Sequence, residues 1–489
     1  MATATTEYRN HIGGDWVAGS VGSYGIVNPA TEATIGEAPE ASVADAETAA
    51  AAARAALPGW KRTAPEERAN LLQKLADAVR ARGDELLPLI MAETGATLAV
   101  GSALQVPQAL NRFETYARMA ATDISIPLNP QVAPTTPLAA GGLVGGVVRR
   151  QPVGVVACIS PYNFPLVNMA GKIGPALATG NTIVMKPAPQ DPLAIVELMR
   201  MIDEVGFPPG VVNLVVGSEP EVGQALVTSR DVDMISFTGS TNVGGAIFEA
   251  GGSTMKRLLL ELGGKGACLV LDDADLGKAI AALVSVWGFH SGQICTAPTR
   301  AIVHRSKYDE LVAGLAAAAP SLTIGPPESP ETVVGPVISA PHRDRVESYI
   351  QAGADEGGEL VVDGRRPESM ERGYYVGPTL IAGCTNGMRV VREEIFGPVI
   401  VVVPFDDEDE GIALANDSDF GLYDYVFSED TARAYGVAQQ LEAGNVGINT
   451  AQRNHAAAFG GWKMSGVGRD GGVFGLHAYT EMQSIVWPG

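Results

Sequence analysis

Between Val153 and Leu260, short runs of β-branched and aliphatic residues alternate with stretches in which apolar positions recur every three to four residues. The runs Val153–Ile159, Thr182–Met185, Val211–Val216, Met234–Phe237 and Leu258–Leu260 are predicted strands, and Pro192–Val205 and Glu221–Ser229 carry the period of helices. Strands alternating with helices imply a parallel, doubly wound sheet. Upstream, Ala41–Ala56 and Pro65–Arg82 are rich in Ala with apolar spacing near ~3.6 residues, the pattern of amphipathic surface helices. Ile126–Gly146, rich in Pro, Ala and Gly, reads as an excursion from the core. A second alternating block runs from Ala267 to about Gly447, with strands near Cys268–Leu271, Ala301–Val303 and Val399–Val403. It is expected to form a second domain. The acidic run Asp406–Glu410 is expected to be the solvated start of a helix, and Ser484–Trp487 alternates as an edge strand does.

Composition agrees with two large domains, because 489 residues exceed what one hydrophobic core serves and 46% of them are hydrophobic. The formal charge of −21 argues against nucleic-acid partners, whose binding rests on clustered Lys and Arg. The chain has four cysteines at irregular positions and no Cys-x-x-Cys pair, which speaks against a disulfide framework and against a structural metal site. A reducing compartment fits. The first ten residues lack an apolar core after a basic start, and no apolar stretch approaches the roughly 18 to 20 residues of a membrane span. The expectation is a soluble cytoplasmic protein that binds small molecules and copies of itself, without metal, membrane or nucleic acid.

Cys158 and Cys268 lie in apolar runs and are predicted core residues, while Cys384, in Gly383-Cys384-Thr385-Asn386, is predicted to be a loop thiol. Cys295 differs. An isolated cysteine is most economically a small buried hydrophobe, yet Ser291-Gly292-Gln293-Ile294-Cys295 reads as a turn, where reactive groups are displayed. Met234-Ile235-Ser236-Phe237 followed by Thr238-Gly239-Ser240-Thr241-Asn242-Val243-Gly244 reads as strand, turn and helix start, and the amides of a helix start bind phosphate. Glu261 ends an apolar strand at the distance where a dinucleotide fold places the acid for a ribose, so spacing alone leaves it either a cofactor ligand or a base for Cys295. Lys186 ends the strand begun at Thr182, and Glu394-Ile395-Phe396-Gly397-Pro398 offers a carboxylate and an aromatic ring.

Together these motifs resemble the aldehyde dehydrogenase superfamily from end to end. The residues that carry the likeness are Pro161-Tyr162-Asn163-Phe164-Pro165, Gly174 to Asn181, Lys186-Pro187-Ala188, Phe237 to Thr241, Glu261-Leu262-Gly263-Gly264-Lys265, Gly292 to Cys295, Glu394 to Pro398, and Phe459-Gly460-Gly461 through Arg469. The resemblance implies two doubly wound Rossmann-like domains and a small β oligomerisation element. Residues 1–125 and 150–260 would bind NAD or NADP, 261–450 would form the catalytic domain, 126–149 and 471–489 the bridging element of a dimer or tetramer, and 451–470 a return segment. It implies Cys295 as nucleophile, Glu261 as base and Asn163, with the Cys295 amide, as oxyanion donor. It places Ile159, Ser160, Lys186, Gly239, Ser240, Gly244, Leu262, Glu394 and Phe396 at the cofactor.

The implied activity is oxidation of an aldehyde to its acid through a cysteine thiohemiacetal and thioester, on aromatic or medium aliphatic aldehydes. Three alternatives stand beside it: a semialdehyde that carries a carboxylate, transfer of the thioester to CoA, and a silent cofactor-binding relative. The sequence departs from the family at Pro189, where many NAD-preferring members have Glu, which opens NADP use. Gly171 and Ala458 stand where bulkier residues or Pro are usual, which predicts a wide pocket, and Arg453 and His455 lie in a loop that often meets the far end of the substrate.

Overall fold

A computed structural model describes residues 7–488. The first six residues, on which the reading of the N-terminus partly rests, and Gly489 lie outside the described residues. Among the described residues, eight strands form one sheet in the order Asp15–Val17, Asn10–Ile12, Val212–Leu214, Thr182–Lys186, Val155–Ile159, Met234–Thr238, Arg257–Glu261, Gly466–Val467. The five from Val212–Leu214 to Arg257–Glu261 are parallel. Their alternate side chains enter two separate cores. Val156, Cys158, Ile183 and Met185 pack under Pro165–Ala178 and Leu193–Val205, whereas Ala157, Ile159, Val184 and Ile235 pack under Val43–Trp60 and Pro220–Thr228. Burial on both faces is why these strands read as unbroken apolar runs rather than alternating ones.

The chain leaves Val155–Ile159 toward Thr182–Lys186 on one side and later returns to Met234–Thr238 on the other. At that reversal the two connections diverge and open a crevice beyond the carboxyl ends of the strands, where doubly wound sheets take their ligands.

A second sheet has the order Glu359–Val362, Thr379–Ala382, Val399–Phe405, Arg300–His304, Ala267–Val270, Tyr423–Phe427, Asn445–Ile448, parallel except at its first pair. The acidic run becomes the first turn of Glu408–Asn416, capped by Asp407, whose side chain accepts from the Glu410 amide. Ile126–Ala133, Gly142–Pro152 and Thr480–Pro488 form a separate antiparallel sheet that projects exposed apolar side chains. Among the described residues no helix is long and apolar enough to cross a membrane.

One expectation fails here: the strand at Val211–Val216 is only Val212–Leu214 long. Cys384 lies in the loop after Thr379–Ala382, as expected, and its side chain is buried in the core that includes Val390, Val399 and Val401, where burial pushes its thiol up to about 11.

Candidate active site

A cavity of about 1310 Å³ runs from the crevice of the first sheet to the face of the second. Glu261 reaches it from the last position of a parallel strand, and Gly466 pairs with it on the outer side. The next four residues turn sharply beneath Cys295. A side chain at Gly264 would stand 2.2 Å from the Cys295 carbonyl oxygen, so only glycine lets the two segments approach this closely. On the other side of that contact the Gly264 amide donates to Glu394 Oε1 at 2.9 Å.

Cys295 is half-buried at the end of a turn in which His290, Ser291 and Gly292 all have positive φ. The Ser291 hydroxyl donates to the Gly335 carbonyl at 2.7 Å. The buried Gln293 donates to the His290 carbonyl and accepts from the Ile338 amide at 3.0 Å, which anchors the turn. Asn163 uses one amide proton on the Gln293 carbonyl at 2.9 Å and its oxygen on the Phe164 amide, leaving the second proton free for the cavity. Among the described residues the Cys295 amide hydrogen-bonds to no other residue.

Burial dominates the ionisation of the site. It pushes the Cys295 thiol up to about 12, with the carboxylates of Glu394 and Glu261 acting in the same direction and Arg453 against them. Burial likewise holds the Glu261 carboxyl well above the usual carboxylate range; Asp470 adds to this, and Lys172, Arg469 and Arg453 oppose it. Neither Glu261 oxygen has a hydrogen-bond partner among the described residues.

At the other end, Ser240 caps Thr241–Gly251, accepting from the Val243 amide, so that the N-terminus of this helix opens into the crevice beside Gly239. Ile159, Ser160 and Leu262 line the same space. Lys186 extends along it with its amino group on the Gly217 carbonyl at 3.3 Å, and burial lowers its pKa to about 8. Glu394, which burial raises to about 7, and Phe396, whose φ is +62°, stand between this crevice and Cys295. A helix start, a lysine, a carboxylate and an aromatic ring lining one crevice are the groups a dinucleotide fold uses. Gly244 is the exception, because it lies behind the crevice, where a side chain would strike Leu262 at 2.3 Å.

The expected wide pocket at Gly171 is not there. A side chain at that position would meet the Arg112 guanidinium at 2.2 Å, so Arg112 fills the space and pairs with Asp470 at 2.9 Å. Arg453 lies 3.9 Å above the Phe459 ring and makes no ion pair among the described residues. Arg112, Lys172, His342, Arg345 and Asp470 line the cavity but were not singled out in the sequence. Lys172 did leave a signal, as the one charge in the otherwise apolar helix Pro165–Ala178. Among the described residues no group of three or more His, Cys, Asp or Glu side chains is placed to hold a metal.

The profile of the aldehyde dehydrogenase family matches residues 16–485. The chain belongs to that family. It is 40% identical to the 2-hydroxymuconic semialdehyde dehydrogenase of Pseudomonas sp. (strain CF600), covering 98% of this chain and 99% of the relative. It is 38% identical to a 3-succinoylsemialdehyde-pyridine dehydrogenase of Pseudomonas sp., covering 98% of each. Among solved structures, betaine aldehyde dehydrogenase from Staphylococcus aureus in complex with NAD+ superposes with a TM-score of 0.94 at 35% identity, over 99% of this chain and 95% of that one. The family assignment makes this chain an oxidoreductase of the aldehyde dehydrogenase class with the mixed α/β fold of its relatives.

Proposed function

We propose that this aldehyde dehydrogenase oxidises an aldehyde bearing a carboxylate at its far end, with NAD as acceptor. The observation that carries the reading is the exposed Arg453 guanidinium, which stacks on Phe459 and has no ion pair among the described residues, at the same cavity as Cys295, Glu261 and Asn163. An unpaired cation attracts a carboxylate and repels a quaternary ammonium. Semialdehyde dehydrogenases among the relatives are consistent with it.

In this reading Cys295 attacks the aldehyde carbon, and the Asn163 amide and the Cys295 backbone N–H stabilise the oxyanion of the thiohemiacetal. NAD, when bound along Lys186, Ser240 and Glu394, supplies the two-electron acceptor that leaves a thioester on Cys295. Glu261 then takes a proton from water, which attacks the thioester and releases the acid. An ionisable Glu261 is unnecessary if CoA is the acyl acceptor, so its buried place in the cavity favours hydrolysis. Pro189 lines the crevice beside Lys186 and offers no charge to repel a 2′-phosphate, which favours NADP as an alternative acceptor. We assign residues 7–125 and 153–260 to the cofactor domain, 261–450 to the catalytic domain and 451–470 to the return segment.

A second reading rests on the apolar walls of Phe164, Val167, Phe289 and Phe459, which suit an aromatic or medium aliphatic aldehyde. The two are separated by comparing succinate semialdehyde with butanal. Arg453→Ala is expected to raise the KM for the semialdehyde about tenfold more than that for butanal. An unchanged KM for the semialdehyde removes the carboxylate anchor.

A further inference from the structure

Lys172 is nearly fully buried on Pro165–Ala178, and its amino group donates to Thr238 Oγ1 at 2.7 Å and to Ser236 Oγ at 3.4 Å. The Ser236 hydroxyl meets the Tyr479 hydroxyl at 2.8 Å, and both side chains are inaccessible to solvent. Either hydroxyl can donate in this pair. The main chain of Tyr479 is held as firmly: its carbonyl accepts from Asn181 Nδ2 at 3.0 Å and from the Val153 amide at 3.2 Å. Nothing in the proposed chemistry uses this tyrosine.

We propose that Tyr479 is a positioning residue that, through Ser236, holds Lys172 as an ammonium facing Glu261 and thereby sets the pH at which Glu261 acts as base. The inference rests on the reading of Glu261 as the base. Thr238, which takes the shorter bond from Lys172, stands beside Glu261 in the register of the adjacent parallel strand, and the titratable groups that act on Lys172 are Asp470, Cys158, Glu261 and Arg112, from four different segments. Cys158, Asp470, Ser236 and Tyr116 face Tyr479. Burial lowers the Lys172 pKa to about 8, with Asp470, Cys158 and Glu261 acting against burial. The ammonium in turn lowers the Glu261 pKa against burial.

The sign follows. Losing the Tyr479 hydroxyl removes the partner that fixes the Ser236 hydroxyl, loosens the ammonium beside Glu261, and lets Glu261 take up its proton at higher pH.

The test is the pH dependence of steady-state NADH formation against the NADH burst in Tyr479→Phe, which removes one oxygen and keeps the ring. The acidic limb of the steady-state rate is expected to move up by ~0.5 to 1 pH unit, while the burst amplitude at pH 8 stays that of the wild type. Ser236→Ala is expected to give the same shift, and the double variant no more than either alone, as for members of one chain. A limb that neither substitution moves, even with a lowered Tm, overturns the positioning role alone. A wild-type profile with no acidic limb removes the reading of Glu261 and this inference with it.

Discussion

Cys295 and Glu261 sit in surroundings that suppress their charges, so the site must control when each ionises. Only a thiolate is a competent nucleophile. Of the charges that act on Cys295, Arg453 is the one that favours the thiolate. Arg453→Ala is therefore expected to slow alkylation of Cys295 by iodoacetamide at pH 7.5 several-fold, followed as loss of activity with time; equal rates would show that the guanidinium does not reach the sulfur. For Glu261 the raised pKa has a definite sign. The base acts when ionised, so the hydrolytic rate falls as pH drops, and the fall begins above the ~4.3 of a free glutamate. Glu261→Gln is expected to keep the NADH burst and lose at least ~100-fold in steady-state turnover. At this scale the motifs made Cys295 and Glu261 legible because they are written in contiguous residues. Arg112 was not legible, since its partner Asp470 is 358 positions away and its contact with Gly171 depends on how two helices pack.

Elements in this molecule are often completed by residues from elsewhere. Leu193–Val205 has no side-chain cap of its own, and Glu93 supplies one, accepting from the Leu193 and Ala194 amides. Burial nevertheless pushes the Glu93 carboxyl up to about 8. A carboxyl whose folded pKa lies above its unfolded ~4.3 contributes stability that is complete below that value and is lost as pH rises through about 8. The Tm is thus expected to decline between pH 5 and 8.5, and Glu93→Gln, which has no proton to lose, should flatten the decline. The turn before Cys295 shows a second dependence. At Gly292 φ is +70° and a side chain would meet the Gly397 carbonyl oxygen at 2.2 Å. Gly292→Ala is expected to cost ~1 to 3 kcal/mol by urea unfolding and to reduce the NADH burst. The turn itself was legible from Ser291-Gly292-Gln293; the remote cap was not, because no local pattern records it.

For the whole molecule, the open question is what covers the three-stranded sheet. Thr480–Pro488 is its edge, and Met482 is 67% and Val486 64% exposed. A free edge carrying apolar side chains pairs readily with another chain, and we propose that a second copy does so. Val486→Asp is expected to shift the protein toward monomer in analytical ultracentrifugation; an unchanged sedimentation coefficient would place self-association elsewhere.

The sequence by itself determined the alternation of strands and helices from Val153 to Leu260, because parallel strands buried on both faces demand continuous apolar runs and their helices a different period. It also brought the candidate groups to notice, since Cys295, Glu261, Asn163 and the helix start at Ser240 lie in short contiguous motifs. Tertiary structure alone decided what surrounds them. Arg112 occupying the space at Gly171, Cys384 turned into the core, Gly244 set behind Leu262, and the line from Tyr479 to Lys172 all depend on segments brought together by packing. The shape and charge of the cavity are properties of distances between remote residues, and those distances exist only once the two sheets have closed on one another.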